Sequence, residues 1–592
     1  MAPRLQQDGP AAEDGGKSRQ RMADTEAGDL RRMMDARLVS LDQARQSWWQ
    51  HWRELADFIL PRRYRWLVTQ SQWNRGSPIN QKIINSVGTT AARNAAAGIM
   101  SGTTSPSRPW FRMTVADPDV MRDPDVQIWC EDVTERMMRV MAASNYYGSK
   151  AVQYLDLIVF GTAPLIIYAD RDTVIRCFNP AAGEYYCAAG PNFDVQTLAR
   201  KFTMTVQQII AEFGIENVSE QVKSLYRNAR TASAALDQEI VVCHLIEPNP
   251  DYDPDLRAPG KLGLPRHFRY REFYWEHGTS QQTGFLRVSG FLDKPFSCPR
   301  WDVTGNDAYG RSPGMDALGD IKQLQQQEKR KAQGIDKQVN PPMVADASMK
   351  NEPASLLPGA VTYVPTLNGG VGFKPAFTTN LPLGELKEDI AKVEARIKDV
   401  FFNDLFLMIS QLDTVRTATE IDARREEKLV MLGPAMDRLQ REGLASDIAR
   451  IFQIMARTGL LPPIPEAMQG MAVKVEYISL LADLQRATAT TAIERVWGFA
   501  GNIGAAVPAV LDNLDADATI EEYAKLLRVS PRVLTNKQQK AAMRQARNQQ
   551  QEMQTTMQVG EAAVGAGKVL SETDVGGGQN ALSAMLNGAG VM

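Results

Sequence analysis

Two helical segments separated by a proline- and glycine-rich insert constrain this chain most strongly. The first is predicted over Ser312–Asn340, because Ser312 suits an N-cap and Pro313 suits the first helical position. The second is predicted to follow Pro382 and to run to about Ser410. At 1.5 Å per residue each helix is roughly 40 Å long, which gives two rods of nearly equal length. Such a thin pair needs neighbours to cover it, so the pattern predicts a subunit of a ring.

The composition is typical of a soluble globular protein and argues against a strongly basic nucleic-acid binder. The 592 residues carry a net charge of −2, with a pI of about 6.2. That length is enough for roughly three or four domains. A protein that holds DNA tightly would be basic, whereas a protein that lets DNA slide need not be.

The cysteines and the apolar stretches predict a protein without disulfides and without a membrane span. The five cysteines are odd in number and scattered, so free thiols in a reducing cytoplasm are expected. The first residues have no apolar segment, so no signal peptide is expected. The uncharged stretch Leu157–Ala169 is too short to cross a bilayer and is predicted to be a buried strand.

Apolar periodicity predicts a mixed α/β fold that is mainly helical. Helical spacing predicts helices over 30–59, 80–101 and 206–213, the first of them ended by Pro61. Alternation predicts strands, which are Thr162–Tyr168, Val174–Phe178, Glu239–Ile246, Phe268–Trp275 and Gly284–Val288. A capping box at Thr417–Glu420 predicts a further long helix, kinked at Gly433–Pro434 and ended near Gly459.

The sequence lacks the motifs that are typical of catalysis, metal binding and cofactor binding. The four histidines show no ligand spacing and there is no Cys-x-x-Cys, so each is predicted to be a satisfied or solvated side chain; they are His51, His244, His267 and His277. Two glycine-rich segments, Gly369–Lys374 and Gly565–Lys568, do not fit a phosphate-binding loop. We therefore expect no enzyme activity, no metal and no cofactor.

The two rods differ in the side chains that they present. The second rod has one apolar face that is expected to pack on the first rod and on neighbouring subunits, formed by Leu386, Ile390, Val393, Ile397 and Val400. The first rod carries cations in and around a polar middle, which are Lys322, Lys329, Arg330, Lys331 and Lys337. These cations either face a DNA duplex or form salt bridges between subunits on a solvated face. For any single lysine the second interpretation is favoured, because charge runs usually lie on solvated faces.

Four local patterns occur in a fixed order over roughly residues 30 to 480. They are Ser105–Phe111, Phe160–Ala163, the run from Pro295–Phe296 through Arg300–Trp301 to Tyr309–Gly314, and Thr417–Glu420. Together they resemble the portal, or head-to-tail connector, proteins of short-tailed (podovirus-type) bacteriophages. The resemblance implies a homo-dodecameric ring at one vertex of the capsid.

The resemblance also implies the portal fold, which has a wing, a two-helix stem, a small β-rich clip and a helical crown. On this sequence the expected parts are a wing at 25–308, stem helices at 309–340 and 383–409, a clip at 341–382, a channel loop at 410–416, a long kinked wing helix at 417–479 and a crown at 480–530. Composition predicts a disordered segment over 1–24. It also predicts a glutamine-rich helix with a mobile tail over 531–592, which departs from relatives with a long C-terminal barrel.

The function implied by the resemblance is a channel for packaging and ejection of double-stranded DNA. The implied partners are the terminase large subunit, the major capsid and scaffolding proteins and the tail adaptors, with assembly in the host cytoplasm and a final place in the virion. Gln411 and Arg416, in the channel loop, are the candidates to touch phosphate in that loop. Two alternatives remain: a tail-tube or adaptor ring protein, although adaptors are usually shorter, and a packaging enzyme, although the phosphate loop and the acidic metal cluster are missing.

Overall fold

In a computed structural model the chain divides into two units. The first unit comprises Met1–Met113, Asp132–Pro463 and Lys474–Leu480, and the second comprises Thr114–Glu131, Ile464–Val473 and Leu481–Met592. The structure describes residues 24–68, 81–228, 233–253, 268–279, 284–345, 373–375, 382–404, 432–478, 493–502, 514–526 and 537–572. The predicted disordered segment, the channel loop and most of the predicted clip therefore lie outside the described residues.

Helices are the commoner element, so the expectation of a mixed and mainly helical fold is confirmed. The helices are α1 Asp24–Phe58, α2 Pro61–Val68, α3 Val87–Thr103, α4 Pro124–Ala143, α5 Tyr146–Phe160, α6 Val206–Phe213, α7 Glu220–Asn228, α8 Pro313–Val339, α9 Leu383–Val400, α10 Ala445–Arg457, α11 Ala516–Leu526 and α12 Lys537–Glu572. The strands are β1 Phe111–Val115, β2 Leu165–Asp170, β3 Val174–Phe178, β4 Tyr185–Ala189, β5 Val195–Thr205, β6 Glu239–Pro248, β7 Tyr270–Glu276, β8 Arg287–Phe291, β9 Phe296–Ser297, β10 Met343–Ala345, β11 Phe373–Pro375 and β12 Val473–Tyr477.

The larger sheet of the first unit is an antiparallel meander in the order β4-β5-β6-β7-β8. In its register His244 of β6 lies between Arg200 of β5 and Tyr274 of β7. A three-stranded sheet has the order β3-β2-β9, and β10 pairs antiparallel with β11.

The main core of the first unit lies where the helices meet the sheets. Helix α3 packs on α5 and α9, and α8 packs on α9 and α1. Trp52 of α1 is fully buried and meets the Tyr309 ring edge-on, with 5.3 Å between ring centroids. Gly161 ends α5 with a φ of +77°, and a Cβ there would lie 2.1 Å from the carbonyl oxygen of Gly310, so only glycine fits this crossing.

The uncharged stretch that was predicted to be one buried strand is divided between two elements. Its first residues are the last turn of α5, which ends at Phe160, and β2 begins only at Leu165. An apolar run that is buried on all sides has no period by which a helix can be told from a strand. The prediction of a single strand from Leu157 is therefore wrong, although the stretch is buried.

The strand predictions succeeded where alternation was clear. Val174–Phe178 is β3 as predicted, whereas the strand expected at Gly284–Val288 lies three residues later, as β8. Two strands of the large sheet, the edge strand β4 and its neighbour β5, were not predicted. Strand β5 carries charged residues at its middle, and one of these, Arg200, is buried by partners that lie on other strands.

The paired helices differ in length. Helix α8 begins after Ser312 as predicted and has 27 residues, whereas α9 has 18 and ends at Val400. The expectation of two helices of nearly equal length is wrong for α9 as far as Val400. The chain turns there because Phe401 is fully buried and Phe402 takes a left-handed φ of +55°. Residues 403–404 are helical again, and the chain from 405 to 431 is not described.

The helix that was predicted to open at Thr417 enters the described residues at Leu432. It contains a π turn over Leu439–Leu444, continues as α10 and ends at Arg457, followed by Gly459 with a φ of +68°. The predicted end is confirmed. Among the helices that the structure describes, none is long and apolar enough to cross a membrane.

Candidate functional site

The start of α8 is fixed by its own cap and by α5. The Ser312 hydroxyl accepts a hydrogen bond from the Met315 amide at 3.1 Å and donates one to the Val159 carbonyl at 2.7 Å. Pro313 lacks the amide hydrogen that the first turn would leave without a partner. The beginning of α8 is therefore anchored to the end of α5.

Helices α8 and α9 run antiparallel in a defined register. The Gln327 side-chain amide donates to the Asp389 carboxylate at 2.5 Å. Two turns further along, Arg396 pairs with Asp320 at 3.0 Å. The two pairs place residue 327 opposite 389 and residue 320 opposite 396.

The predicted apolar face of α9 lies against the core of the first unit. Ile390, Val393 and Ile397 are at most 5% exposed, whereas Leu386 and Val400 are half-buried at the edge of the same cluster. Ile321 and Leu324 of α8 belong to this cluster too. The contacts of this face within one chain are thus known, and its contacts with other copies stay a prediction.

A polar junction marks the point where the helix pair leaves the core. The Gln325 Oε1 accepts from the amides of Ile84 and Asn85, at 2.6 and 2.8 Å, and its Nε2 donates to the Asn85 carbonyl at 2.8 Å. The Asn85 side chain donates to Glu394 of α9 at 2.8 Å. Along α8, which the structure describes throughout, no residue after Gln325 is buried. The second half of α8 therefore projects from the unit.

The five predicted channel cations of α8 fall into two groups. Lys322 pairs with Glu54 of α1 at 2.6 Å, and Lys331 pairs with Glu328 at 2.5 Å. The hydrogen bond from Lys322 lowers the pKa of the Glu54 carboxyl. The other three are exposed and form no ion pair with any residue in the described ranges; they are Lys329, Arg330 and Lys337. Gln411 and Arg416, also predicted to touch DNA, lie outside the described residues.

Buried charges hold the helix over 432–457 onto the strands and α5. Glu442 in the π turn accepts from Arg300 at 2.6 and 3.0 Å, and Asp447 pairs with Lys150 at 2.8 Å. Both partners lie far from the helix in sequence. Sequence reasoning missed these pairs and Gln325, because a single charged or amide residue gives no sign of a partner hundreds of positions away.

A second buried network crosses the large sheet. Arg200 donates to His244 Nδ1 at 3.0 Å, and His244 Nε2 donates to Glu272 at 2.8 Å. The imidazole stacks on the Tyr274 ring with 4.0 Å between centroids. Burial lowers the pKa of His244 to about 4, so it is a neutral side chain with both nitrogens satisfied. This agrees with the prediction of a structural histidine.

The remaining candidate groups show no arrangement for metal binding. All five cysteines are buried and free, as predicted; they are Cys130, Cys177, Cys187, Cys243 and Cys298. Within the described ranges, no group of three or more His, Cys, Asp or Glu side chains is placed to hold a metal ion. Of the other histidines, His277 contacts Lys201 at 2.8 Å, and His267 is not described.

Comparison with known proteins gives close relatives over nearly the whole chain. The family model described as "Bacteriophage head to tail connecting protein" matches residues 31–534. A portal protein of Salmonella phage epsilon15 is 40% identical over 571 residues, which are 96% of this chain and 99% of the relative. A probable portal protein of Bordetella phage BPP-1 is 40% identical over 526 residues, which are 88% of this chain and 92% of the relative.

Among solved structures, a chain of the virion of a native gene transfer agent (GTA) particle is similar over 70% of this chain and 95% of its own length. Its TM-score is 0.24 and its sequence identity 11%. A likeness at this level is too low to bear on the fold.

Proposed function

The chain belongs to the bacteriophage head-to-tail connecting proteins, and we propose that it forms the portal ring at a single vertex of a phage capsid. In that role the ring is the channel through which double-stranded DNA is packaged and later ejected. The observation that carries the proposal is the 40% identity to a protein named as a portal, over 99% of that relative's length. The role is structural, and the motor that consumes ATP is a separate protein.

Within the proposed ring we assign the parts of the chain by their family resemblance. The wing comprises 25–308 with the segment over 417–479, whose helix ends at Arg457, the stem comprises α8 and α9, the clip lies at 341–382 and the crown at 480–530. Two observations support the stem assignment: α8 and α9 are paired in register, and the second half of α8 leaves the core after Gln325. Residues 531–592 follow the crown, with α12 as their helix.

We propose twelve copies in the ring, a number that comes from the family resemblance. The stem of a single chain supports association, because large apolar side chains near its tip are exposed: Val339 by 79% and Val344 by 46%. Exposed apolar surface of this kind is typical of an interface. A head-to-tail contact between identical copies closes into a ring when its rotation divides a full turn.

We propose that DNA passes the stem and the channel loop. The candidates for phosphate contact are Lys337 near the tip of α8 and Gln411 and Arg416 in the loop over 410–416. Lys322 and Lys331 are less available, because each is paired with a glutamate of its own chain. A net charge of −2 suits a conduit, since each phosphate contact adds affinity that would hinder sliding.

We propose that the ring binds the terminase large subunit and later the tail adaptors through the clip, and the major capsid and scaffolding proteins through the wing. Assembly takes place in the host cytoplasm, and the finished ring belongs to the virion. These partners follow from the portal role.

Negative-stain images and the mass of the purified protein in solution test the proposal. We expect rings with a central opening wide enough for a DNA duplex, and copurification with the terminase. A single-copy particle, or an opening too narrow for the duplex, would contradict the portal role. Rings that never bind the terminase would favour the tail-adaptor alternative, and ATP hydrolysis by the purified protein would favour an enzyme.

A further inference from the structure

Two buried thiols, one on the large sheet and one directly after the three-stranded sheet, lie in contact. Cys187 is the middle residue of β4, Cys298 follows β9, and 3.8 Å separates their sulfur atoms. We propose that these two cysteines are a redox-sensitive cross-link, which is a dithiol while the chain folds and assembles in the host cell and a disulfide in the released particle. The time of bond formation rests on the portal role proposed above, whereas the capacity to form the bond rests on the geometry of this chain alone.

The distance between the two sulfur atoms is short enough for a bond to form. A disulfide holds its sulfurs about 2.05 Å apart, so each of the two would have to move by about 0.9 Å from the present contact. Ordinary thermal motion in a protein has an amplitude of about 0.9 Å in three dimensions. Cys187 and Cys298 are each only 1% exposed and both belong to the main core, so the bond would lie inside that core.

The bond would fasten β4 to a crossing point of the first unit. Arg300, two residues after Cys298, is 3% exposed and pairs with Glu442 of the π turn. On the other side, the Cys187 amide donates a hydrogen bond to the Tyr309 hydroxyl at 2.9 Å, shortly before the start of α8. A cross-link between positions 111 residues apart also restricts the unfolded chain, which raises the stability of the fold.

Hydrogen peroxide, as a small oxidant, balances the reaction. The thiolate of one cysteine attacks a peroxide oxygen, the O–O bond breaks and a sulfenic acid forms, and the hydroxide that leaves takes up a proton to give water. The second thiol then attacks the sulfenic sulfur; the S–S bond forms, the S–O bond breaks and a second water leaves. In total the two thiols lose two electrons and two protons, and one hydrogen peroxide is reduced to two water molecules.

Burial makes this reaction slow and restricts it to small oxidants. It raises the pKa of the Cys187 thiol, which keeps the reactive thiolate scarce. Strand β4 is an edge strand of the large sheet, so its local opening costs less than that of a central strand and admits a molecule of the size of peroxide. Since the cytoplasm keeps thiols reduced and the surroundings of a released virion do not, the bond forms after release.

Thiol counting on the purified full-length chain tests the cross-link. The protein is kept reduced, transferred to buffer without reductant, treated with hydrogen peroxide and then denatured for titration of its thiols. We expect the five free thiols of the natural chain to fall to three. Mass spectrometry of the unreduced tryptic digest should show the peptides that contain Cys187 and Cys298 joined with the loss of two hydrogen atoms.

Single cysteine variants identify the pair. Cys187→Ala and Cys298→Ala should each keep their four remaining thiols under the same treatment, whereas the matched control Cys243→Ala, which removes another buried thiol, should fall from four to two. Trypsin leaves Cys177 and Cys187 on one peptide, so Cys177→Ala is the control that separates them, and it should keep the cross-link. Far-ultraviolet circular dichroism checks that each variant is folded.

The natural chain unfolded in urea is the reference for the strength of the oxidant. If the folded chain keeps all five thiols under a treatment that oxidises the unfolded chain, the inference is overturned. A linked pair of peptides other than the pair with Cys187 and Cys298 would also overturn it. This map of the natural chain decides the question even where a variant does not fold.

Released particles test the time of bond formation and separate it from the portal role. The protein from released particles and the protein from infected cells are each denatured in N-ethylmaleimide and mapped in the same way. We expect the disulfide in the particles and the dithiol in the cells; the dithiol in the particles, or the disulfide already in the cells, would overturn the proposed timing. If the protein is absent from the particles, the portal role fails, and the thiol count of the purified chain still decides the cross-link.

Discussion

Lys150 and Asp447 form an ion pair in which neither side chain is exposed, with 2.8 Å between Nζ and Oδ2. The Tyr146 hydroxyl donates to the same carboxylate oxygen at 3.1 Å, and Lys150 also donates to Gln153 at 2.7 Å. Burial opposes the charged form of Lys150, but the Asp447 carboxylate outweighs it and raises the pKa of the lysine. The pair joins α5 to α10 across 297 positions of sequence.

Asp447→Asn should therefore destabilise the first unit strongly. The substitution leaves Lys150 charged and buried without its counter-ion, which costs about 3–5 kcal/mol of unfolding free energy. Denaturant unfolding measures the loss. Asp437→Asn is the matched control, because Asp437 pairs with Arg441 at 2.8 Å while both are more than 60% exposed. That change should stay within about 1 kcal/mol. Equal effects of the two substitutions would contradict the importance of the buried pair.

The buried histidine of the sheet predicts a loss of stability in mild acid. Burial lowers the pKa of His244 from 6.5 to about 4. Between pH 6.5 and 4 the imidazole is therefore protonated in the unfolded chain and neutral in the folded chain. Stability is full above pH 6.5 and falls as the pH drops towards 4, by about 3 kcal/mol in all. Thermal unfolding midpoints over this range measure the effect. His244→Gln keeps a donor and an acceptor but does not titrate, and an unchanged pH profile in that variant would count against His244 as the source.

Ile397→Asp should abolish both folding of the helix pair and assembly of the proposed ring. Ile397 is fully buried among the core residues of α3 and α8, and an unpaired carboxylate there costs several kcal/mol. Ile390→Asp should act in the same way. The adjacent Lys398→Asp introduces the same group at an exposed position and should leave the fold intact. Stable, assembled Ile397→Asp protein would show that the buried face is wrongly assigned.

Gln325→Ala should loosen the junction between the segment before α3 and the helix pair. The substitution removes three hydrogen bonds and leaves the amides of Ile84 and Asn85 without their acceptor. Both bonds are only partly buried and Ile84 is 53% exposed, so water can replace the lost acceptor; we expect a loss of about 0.5–1.5 kcal/mol per hydrogen bond and faster hydrogen exchange at both amides. Gln326→Ala, at the exposed neighbouring position, serves as the control. Unchanged hydrogen exchange at Ile84 and Asn85 in Gln325→Ala would show that Gln325 does not hold this polar junction.

Helix ends that are fixed by residues within one turn of the chain could be predicted from the sequence. The start of α8 follows from Ser312 and Pro313, and α6 has the predicted bounds because Thr205 and Gln208 form a local capping box. The end of α10 follows from Gly459. In each case the deciding contact lies within one turn of the chain.

Features set by distant partners could not be predicted. Strand β5 carries Arg200, which has the character of a surface residue in the sequence but is surrounded in the fold by His244 of β6 and by Glu184 in the turn before β4. The end of α9 depends on the burial of Phe401 against the core. Nothing in the neighbouring sequence indicates that this phenylalanine is buried. The pairing of Gln327 with Asp389 likewise depends on an antiparallel register of α8 and α9 that no local sequence signal gives.

The π turn over Leu439–Leu444 sets the angular phase of the long helix. A π turn holds an extra residue, and one residue of an α-helix corresponds to about 100° of rotation. Because the wider turn takes up this residue in about one full rotation, deleting a single residue there would let the coil close as an ordinary α-helix with both flanks facing as before, whereas a deletion elsewhere in the helix would rotate everything downstream by about 100°. Glu442, inside the wide turn, binds Arg300, and Asp447, on the first turn of α10, binds Lys150, so the wide turn and the α-helix after it are each held by a buried cation.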